Sequence, residues 1–162
     1  MSFPQALFST PTPFVRRGLD ALARAVDLVM PLNAARRHEL PDACRDLSAL
    51  LTTERDGLER PYWTSPRLTS AYLRYFLPWN LVRLTALLPG LPLTAPATRP
   101  SGAEENGTAT AGANDEFLIF DLGSGPCTFP LALWLARPDL RRLPVTVVAS
   151  DSAPHPLGLG RR

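Results

Sequence analysis

The sequence predicts an α/β fold: a helical N-terminal region followed by an incomplete strand–helix–strand unit. Three observations predict it. Apolar residues recur at helical spacing through the first 91 residues. Residues 92–115 then break the composition, being rich in Pro, Ala, Thr, Gly and Ser with almost no large apolar residue. After the break, Phe117-Leu118-Ile119-Phe120-Asp121-Leu122-Gly123-Ser124-Gly125 reads as a strand entering a glycine turn, and Val145 to Asp151 as a second strand ending in an acid. The chain thus divides into a helical region (1–91), a flexible linker (92–115) and the strand–helix–strand unit (116–162).

In the first block Val15, Leu19, Leu22, Val26 and Val29 share one helix face. Arg16, Asp20, Arg24 and Asp27 occupy the other, with Arg16/Asp20 and Asp20/Arg24 at four-residue spacing. Pro31 ends this helix. A short helix is expected over Asn33–Glu39, and another from Pro41 that packs Ala43, Leu47, Leu50 and Leu51 and is capped by Gly57. Ser65-Pro66 is a helix start, because serine caps and proline fits the first turn. Leu68, Tyr72, Tyr75 and Phe76 form an apolar stripe. Pro78 breaks or kinks it, and Leu81, Leu84, Leu87 and Leu88 continue it to Pro89-Gly90. In the third block the continuous apolar run Phe117–Phe120 predicts a strand covered on both faces. A helix over Phe129–Ala136 holds Pro130 in its first turn, Pro138 stops it, and Val145–Ala149 forms the second strand.

The chain has 162 residues, room for about one domain. All seventeen basic residues are arginine. Either a GC-rich coding bias or contact with phosphates accounts for that, and a net charge of +2 is too small to argue for nucleic acid alone. Cys44 and Cys127 stand far apart, outside any CxxC or Cys/His cluster, so neither a metal site nor a disulfide framework is expected. Both fit a reducing, cytoplasmic compartment. The start of the chain lacks the pattern of a secretory signal, which leaves Asn106-Gly107-Thr108 idle as a glycosylation sequence. Leu73–Leu93 carries Arg74, Arg83 and three prolines and reads as core helices, not a membrane span.

The chemistry concentrates at the glycine turn. Gly123 and Gly125 would let the backbone bend sharply and lie against a ligand. The helix that follows would aim N–H groups at the same place. Asp151 would stand where ribose hydroxyls need an acceptor. The alternative is a strand–helix–strand start in which the glycines only permit close packing, and Asp151 is a solvated strand end. A dinucleotide fingerprint would need a third glycine where Thr128 stands, which disfavours an NAD(P)-binding oxidoreductase fragment. A nucleoside-triphosphate loop would need a lysine, and the chain has none.

Asp121-Leu122-Gly123-Ser124-Gly125 resembles motif I of class I S-adenosylmethionine-dependent methyltransferases, which have a Rossmann-like fold. The resemblance implies that the backbone of Gly123, Ser124 and Gly125 borders the methionine part of S-adenosylmethionine. It further implies that Asp121 holds the amino group and Asp151 the ribose. Cys127 stands where many members carry another glycine, and Pro126 stiffens the loop. The catalytic residues of the family lie on later strands, so no catalytic residue is assigned. Only eleven residues follow Asp151, and the expectation is a truncated cofactor domain, inactive alone, whose second strand has an exposed edge.

Leu51-Thr52-Thr53-Glu54-Arg55, the Tyr62–Tyr72 stretch and Leu73-Arg74-Tyr75-Phe76-Leu77-Pro78, standing ahead of that motif, are similar to methyltransferase-like proteins associated with the small ribosomal subunit. The similarity covers about half the chain. It implies ribosomal RNA or the small subunit as partner and a role in ribosome assembly and translation. Either methyl transfer to RNA or a non-enzymatic assembly role on the same fold would follow. Arg55, Arg60, Arg67 and Arg74 would then be candidates for phosphate contact, and Tyr62, Trp63 and Tyr72 for stacking on bases. The competing reading packs these aromatics in the core. The cysteine cluster that several members carry later in the chain has no counterpart here. His38 reads as an exposed helix residue, and His155 as a loop residue or a border to adenine.

Overall fold

The structure, a computed structural model, describes residues 10–53, 62–91 and 117–160. The linker region, Arg55, Gly57, Arg60 and Asn106 lie outside the described residues. Within them the chain is mostly helical, with one parallel two-stranded sheet.

Helix α1 (Pro13–Val29) starts where the Thr12 hydroxyl accepts the Val15 N–H and Pro13 fits the first turn. Its apolar stripe faces inward as the spacing predicts: Val15 and Val26 are buried, and Leu19 and Leu22 pack on the core. The charged face makes its described contact across the fold, not along the helix, because Asp27 pairs with Arg74.

Helix α2 (Ala34–Thr52) corrects the expected division at Pro41, since one helix runs straight through it. Asn33 caps its start by accepting the Arg36 N–H. Proline at 41 removes one ladder bond, but Arg37 and Pro41 are both exposed, so water can serve the carbonyl left over. Leu40, Ala43, Leu47 and Leu51 form an unbroken stripe that packs on Ala71 and Leu68, and that burial holds the two halves in line. The helix ends at Thr52, with Thr53 as the closing residue.

A short turn (Tyr62–Thr64) leads into α3 (Pro66–Ala71), capped by Ser65 as predicted. A wide π turn, Tyr72–Phe76, joins α3 to α4 (Leu77–Leu87). The Leu77 N–H there reaches back five residues to the Tyr72 carbonyl. Pro78 follows directly and cannot donate, so the π turn absorbs the interruption that a proline forces on a helix. It also shifts the helix phase. Leu73, Leu77, Leu81 and Leu88 are buried, whereas Tyr75, expected on the apolar stripe, is exposed.

Strand β1 (Phe117–Leu122) pairs in parallel with β2 (Val145–Ser150), from Phe117 opposite Val145 to Leu122 opposite Ser150. Helix α5 (Thr128–Ala136) connects them and packs against α4. Ile119 and Val145 face the core on the covered side. The expectation of a strand buried on both faces is corrected: burial alternates along β1, and Leu118, Phe120 and Leu122 are 54%, 65% and 80% exposed. An apolar run alone does not distinguish these two situations. Among the described residues β2 pairs with β1 alone, leaving its outer edge open.

Two arginines lock α5 in place. Arg137, itself buried, holds the Asp139 carboxylate and donates to the Leu88 and Leu91 carbonyls, joining α5 to the end of the α4 segment. Arg141 caps the C-terminus of α5 by donating to the Trp134 and Leu135 carbonyls, and its guanidinium stacks over Phe14 and Trp134. Helix α6 (Pro154–Gly160) returns to the glycine turn. A Cβ on Gly160 would lie 2.6 Å from the Pro126 backbone.

Candidate nucleoside site

The turn after β1 needs left-handed backbone at three positions. Gly123 and Gly125 have φ of +75° and +54°, values that side chains rarely tolerate. Cys127 has φ of +58° although it is not glycine. This left-handed conformation costs about 1–2 kcal/mol in a residue with a Cβ.

All five residues expected at the site come together. The Gly123 and Ser124 N–H groups both donate to the Ser150 carbonyl, at 2.8 and 3.0 Å. The Gly125 N–H donates to Asp151 Oδ2 at 2.8 Å, and the Ala153 N–H to Asp151 Oδ1 at 2.9 Å. Ser124, buried, donates from its hydroxyl to Asp121 Oδ2 at 2.5 Å. The Asp151 carboxylate therefore turns toward the bend. It has two bonds filled and acceptor capacity for about two more.

Three consecutive turn amides are thus committed within the protein. The Thr128 N–H is taken by the Ser124 carbonyl, and Pro130 has none. Few donors remain at the start of α5, so this turn is poorly equipped to cradle a diphosphate.

The helical block supplies the other side of the site. Tyr62, Trp63 and Tyr72 pack on one another, with ring centroids 4.6–5.9 Å apart. They also reach the turn: a Cβ on Gly125 would sit 3.9 Å from both Trp63 and the Tyr72 hydroxyl. Burial pushes the Tyr62 phenol well above the usual range, and Tyr72 and the Asp151 charge add to it. Burial likewise raises Tyr72. The core reading of these aromatics holds, and their position over the turn is an addition that the sequence did not show.

Clefts open on both sides of this aromatic cluster. One, of about 430 Å³, lies between α4 and the turn and is lined by Tyr72, Asn80, Arg83, Asp121, Ser124 and Thr128 among others. The second, of about 510 Å³, is lined by Met30, Trp63, Thr69, Ser152, Ala153 and His155 among others. Asn80, Arg83, Leu84 and Leu87 share one face of α4, and that spacing was the available signal for them.

The other candidates fare differently. Arg67 is paired with Asp46, and Arg74 with Asp27 and the Met30 carbonyl, so both are engaged inside the fold. His38 is exposed on α2, and His155 is exposed on α6 beside the second cleft. Burial raises the Cys44 thiol, which suits a core role. Among the described residues no three or more His, Cys, Asp or Glu side chains gather as a metal site, and no helix is long and apolar enough to cross a membrane. Comparison with family models, with curated proteins and with solved structures found no match.

Proposed function

We propose that this chain carries the nucleoside-binding turn of a class I methyltransferase domain that takes S-adenosylmethionine. The observation that carries the reading is the Asp151 carboxylate, held against the Gly123–Gly125 turn by the Gly125 N–H. Its spare acceptor capacity suits ribose hydroxyls, and the second cleft beside Ser152 and His155 offers room for the base. Asp121, half-buried at the end of β1, suits an ammonium group. When bound, the cofactor would supply an activated methyl group. The residues here would hold it by its sugar and its amino-acid end. The committed turn amides favour a ligand without phosphates over the nicotinamide dinucleotide alternative.

RNA as acceptor, a role in small-subunit assembly and a cytoplasmic location belong to the same proposal and rest on the resemblance of the helical block. The non-enzymatic assembly reading is favoured by one observation: Trp63 and Tyr72 lie against the Gly125 turn, where a ligand would have to fit around them.

Calorimetric titration of the full chain with S-adenosylhomocysteine and with NADH tests the reading. Binding of the former alone is expected, and loss of that binding in Asp151→Ala would support the ribose role. No heat with S-adenosylhomocysteine would overturn the cofactor assignment. Transfer of labelled methyl to ribosomal RNA by a binding-competent chain would decide against the non-enzymatic reading.

A further inference from the structure

The outer edge of β2 is unpaired among the described residues, and its backbone groups can be assigned one by one. The Pro144 and Ser150 carbonyls accept from β1 and its turn, through the Phe117 and Gly123 N–H groups. In a parallel pair, residues bonded to the neighbouring strand alternate with residues turned away from it. Thr146, Val148 and Ser150 therefore bond to β1, and Val145, Val147 and Ala149 turn their N–H and C=O groups outward. Strand edges are commonly guarded by a charge, a proline or a bulge. Val145–Ser150 holds no charged residue and no proline, and its register with β1 runs one for one. Pro144, just ahead of it, turns toward β1 and leaves the outer row of donors whole. On the α5 side, Val145 and Val147 form one wall of a groove of about 190 Å³, with Trp134, Arg141 and Leu143 beyond them.

We propose that β2 pairs antiparallel with β2 of a second copy of this chain, so that the two copies share one four-stranded sheet. A two-fold axis at Val147 is the register that the outward groups allow. Val147 then faces its own counterpart, and Val145 faces the counterpart of Ala149, each facing pair exchanging two backbone hydrogen bonds. Every outward N–H and C=O of β2 is used. The ends of the strand suit this arrangement and not a parallel one. Arg142, exposed, precedes β2 and Asp151 follows it, so antiparallel pairing brings the basic end of each strand beside the acidic end of the other. The axis runs across the sheet, so both α5 helices lie on the same face and the two grooves meet over the new strand pair. The free edge of β1 is the poorer partner, because that strand carries Asp121. Residues 92–115 are a poor cover for the edge, having almost no large apolar residue to fill the groove. The inference does not depend on the cofactor reading.

Sedimentation velocity of the full chain, from about 1 to about 200 μM, tests the proposal. An edge of six residues makes a small interface, so a monomer–dimer equilibrium with a Kd on the order of 10 μM is expected. Arg142→Glu lies at an exposed position and should keep the parent circular dichroism spectrum. It sets acid beside acid and should weaken the dimer by about fivefold at low salt. Cysteines report the register. Val147→Cys places a thiol on the axis, with Cα atoms about 5.5 Å apart, and should give a disulfide-linked dimer under copper-phenanthroline and air. Val145→Cys lies on the same face but about 14 Å from its own counterpart, and should not. The parent, which has Cys44 and Cys127, gives the background. A chain that stays monomeric throughout has its edge covered from within and overturns the proposal. Equal crosslinking of the two cysteine variants, or an Arg142→Glu dimer as tight as the parent's, overturns it as well.

Discussion

Asp151 Oδ2 lies 2.8 Å from the Gly125 nitrogen, so the acid that ends β2 also braces the turn that ends β1. The two residues are 26 positions apart in sequence, and the contact joins the halves of the candidate site. Asp151→Ala would strand two backbone N–H groups and is expected to cost about 1–3 kcal/mol, measured by urea denaturation. Asp151→Asn keeps an acceptor oxygen and should lose less. Equal losses in the two variants would mean that charge, not bond count, secures the turn.

Cys127 adopts a backbone conformation suited to glycine. Cys127→Gly should therefore raise stability by about 1 kcal/mol through relief of that strain, partly offset by the greater freedom of the unfolded chain. A lower denaturation midpoint would show that the thiol's packing near Gly160 outweighs the strain.

Arg137 bonds the Asp139 carboxylate and the carbonyls of Leu88 and Leu91 from a buried position. Arg137→Met keeps the apolar stem and removes these bonds, with an expected loss of about 2–4 kcal/mol. Asp139→Asn should be milder, because that side chain is largely exposed. The Arg137 hydrogen bond holds the Asp139 carboxyl below its usual range. Its contribution is present at neutral pH and fades as acid protonates it below pH 3.8.

The alkaline limit follows from Tyr62 and Tyr72. Both phenols are raised in the folded state, chiefly by burial, from an ordinary value of 10.0. The unfolded chain then releases protons first, so stability is full below pH 10.0 and falls as pH climbs beyond it. Thermal melts across this range should show the decline, and Tyr62→Phe should flatten it. A decline unchanged in the variant would place its origin elsewhere.

Phe120 points from β1 into solvent beside Leu118 and Leu122. Phe120→Lys should change stability by no more than about 0.5 kcal/mol and lower dye binding and self-association. A large loss of stability would mean that Phe120 is covered in solution.

Much of this architecture was legible because it depends on local rules. The Ser65-Pro66 cap, the α1 stripe and the glycine turn each follow from a few neighbouring residues. Pro41 misled because whether a proline breaks a helix depends on burial of the orphaned carbonyl, and Arg37 happens to face water. Tyr75 misled because the register change at the π turn has no simple spacing signature. At the candidate site, Gly123, Gly125 and Asp151 could be read from the strand–helix–strand pattern, whereas Asp121 and Ser124 came with the resemblance to motif I. The aromatics over Gly125 and the Arg83 wall could not, because they depend on how a distant helical block docks.

The π turn between α3 and α4 has a consequence for how this chain tolerates length changes. It accommodates one more residue than a regular helical turn would. Deleting one residue there would let the turn close as a regular α turn and leave Leu77, Leu81 and Leu88 facing the interior. A deletion within α4 itself has no such reserve and would rotate every later residue by about 100°. The loosely wound coil is therefore where this helix can absorb the loss of a single codon.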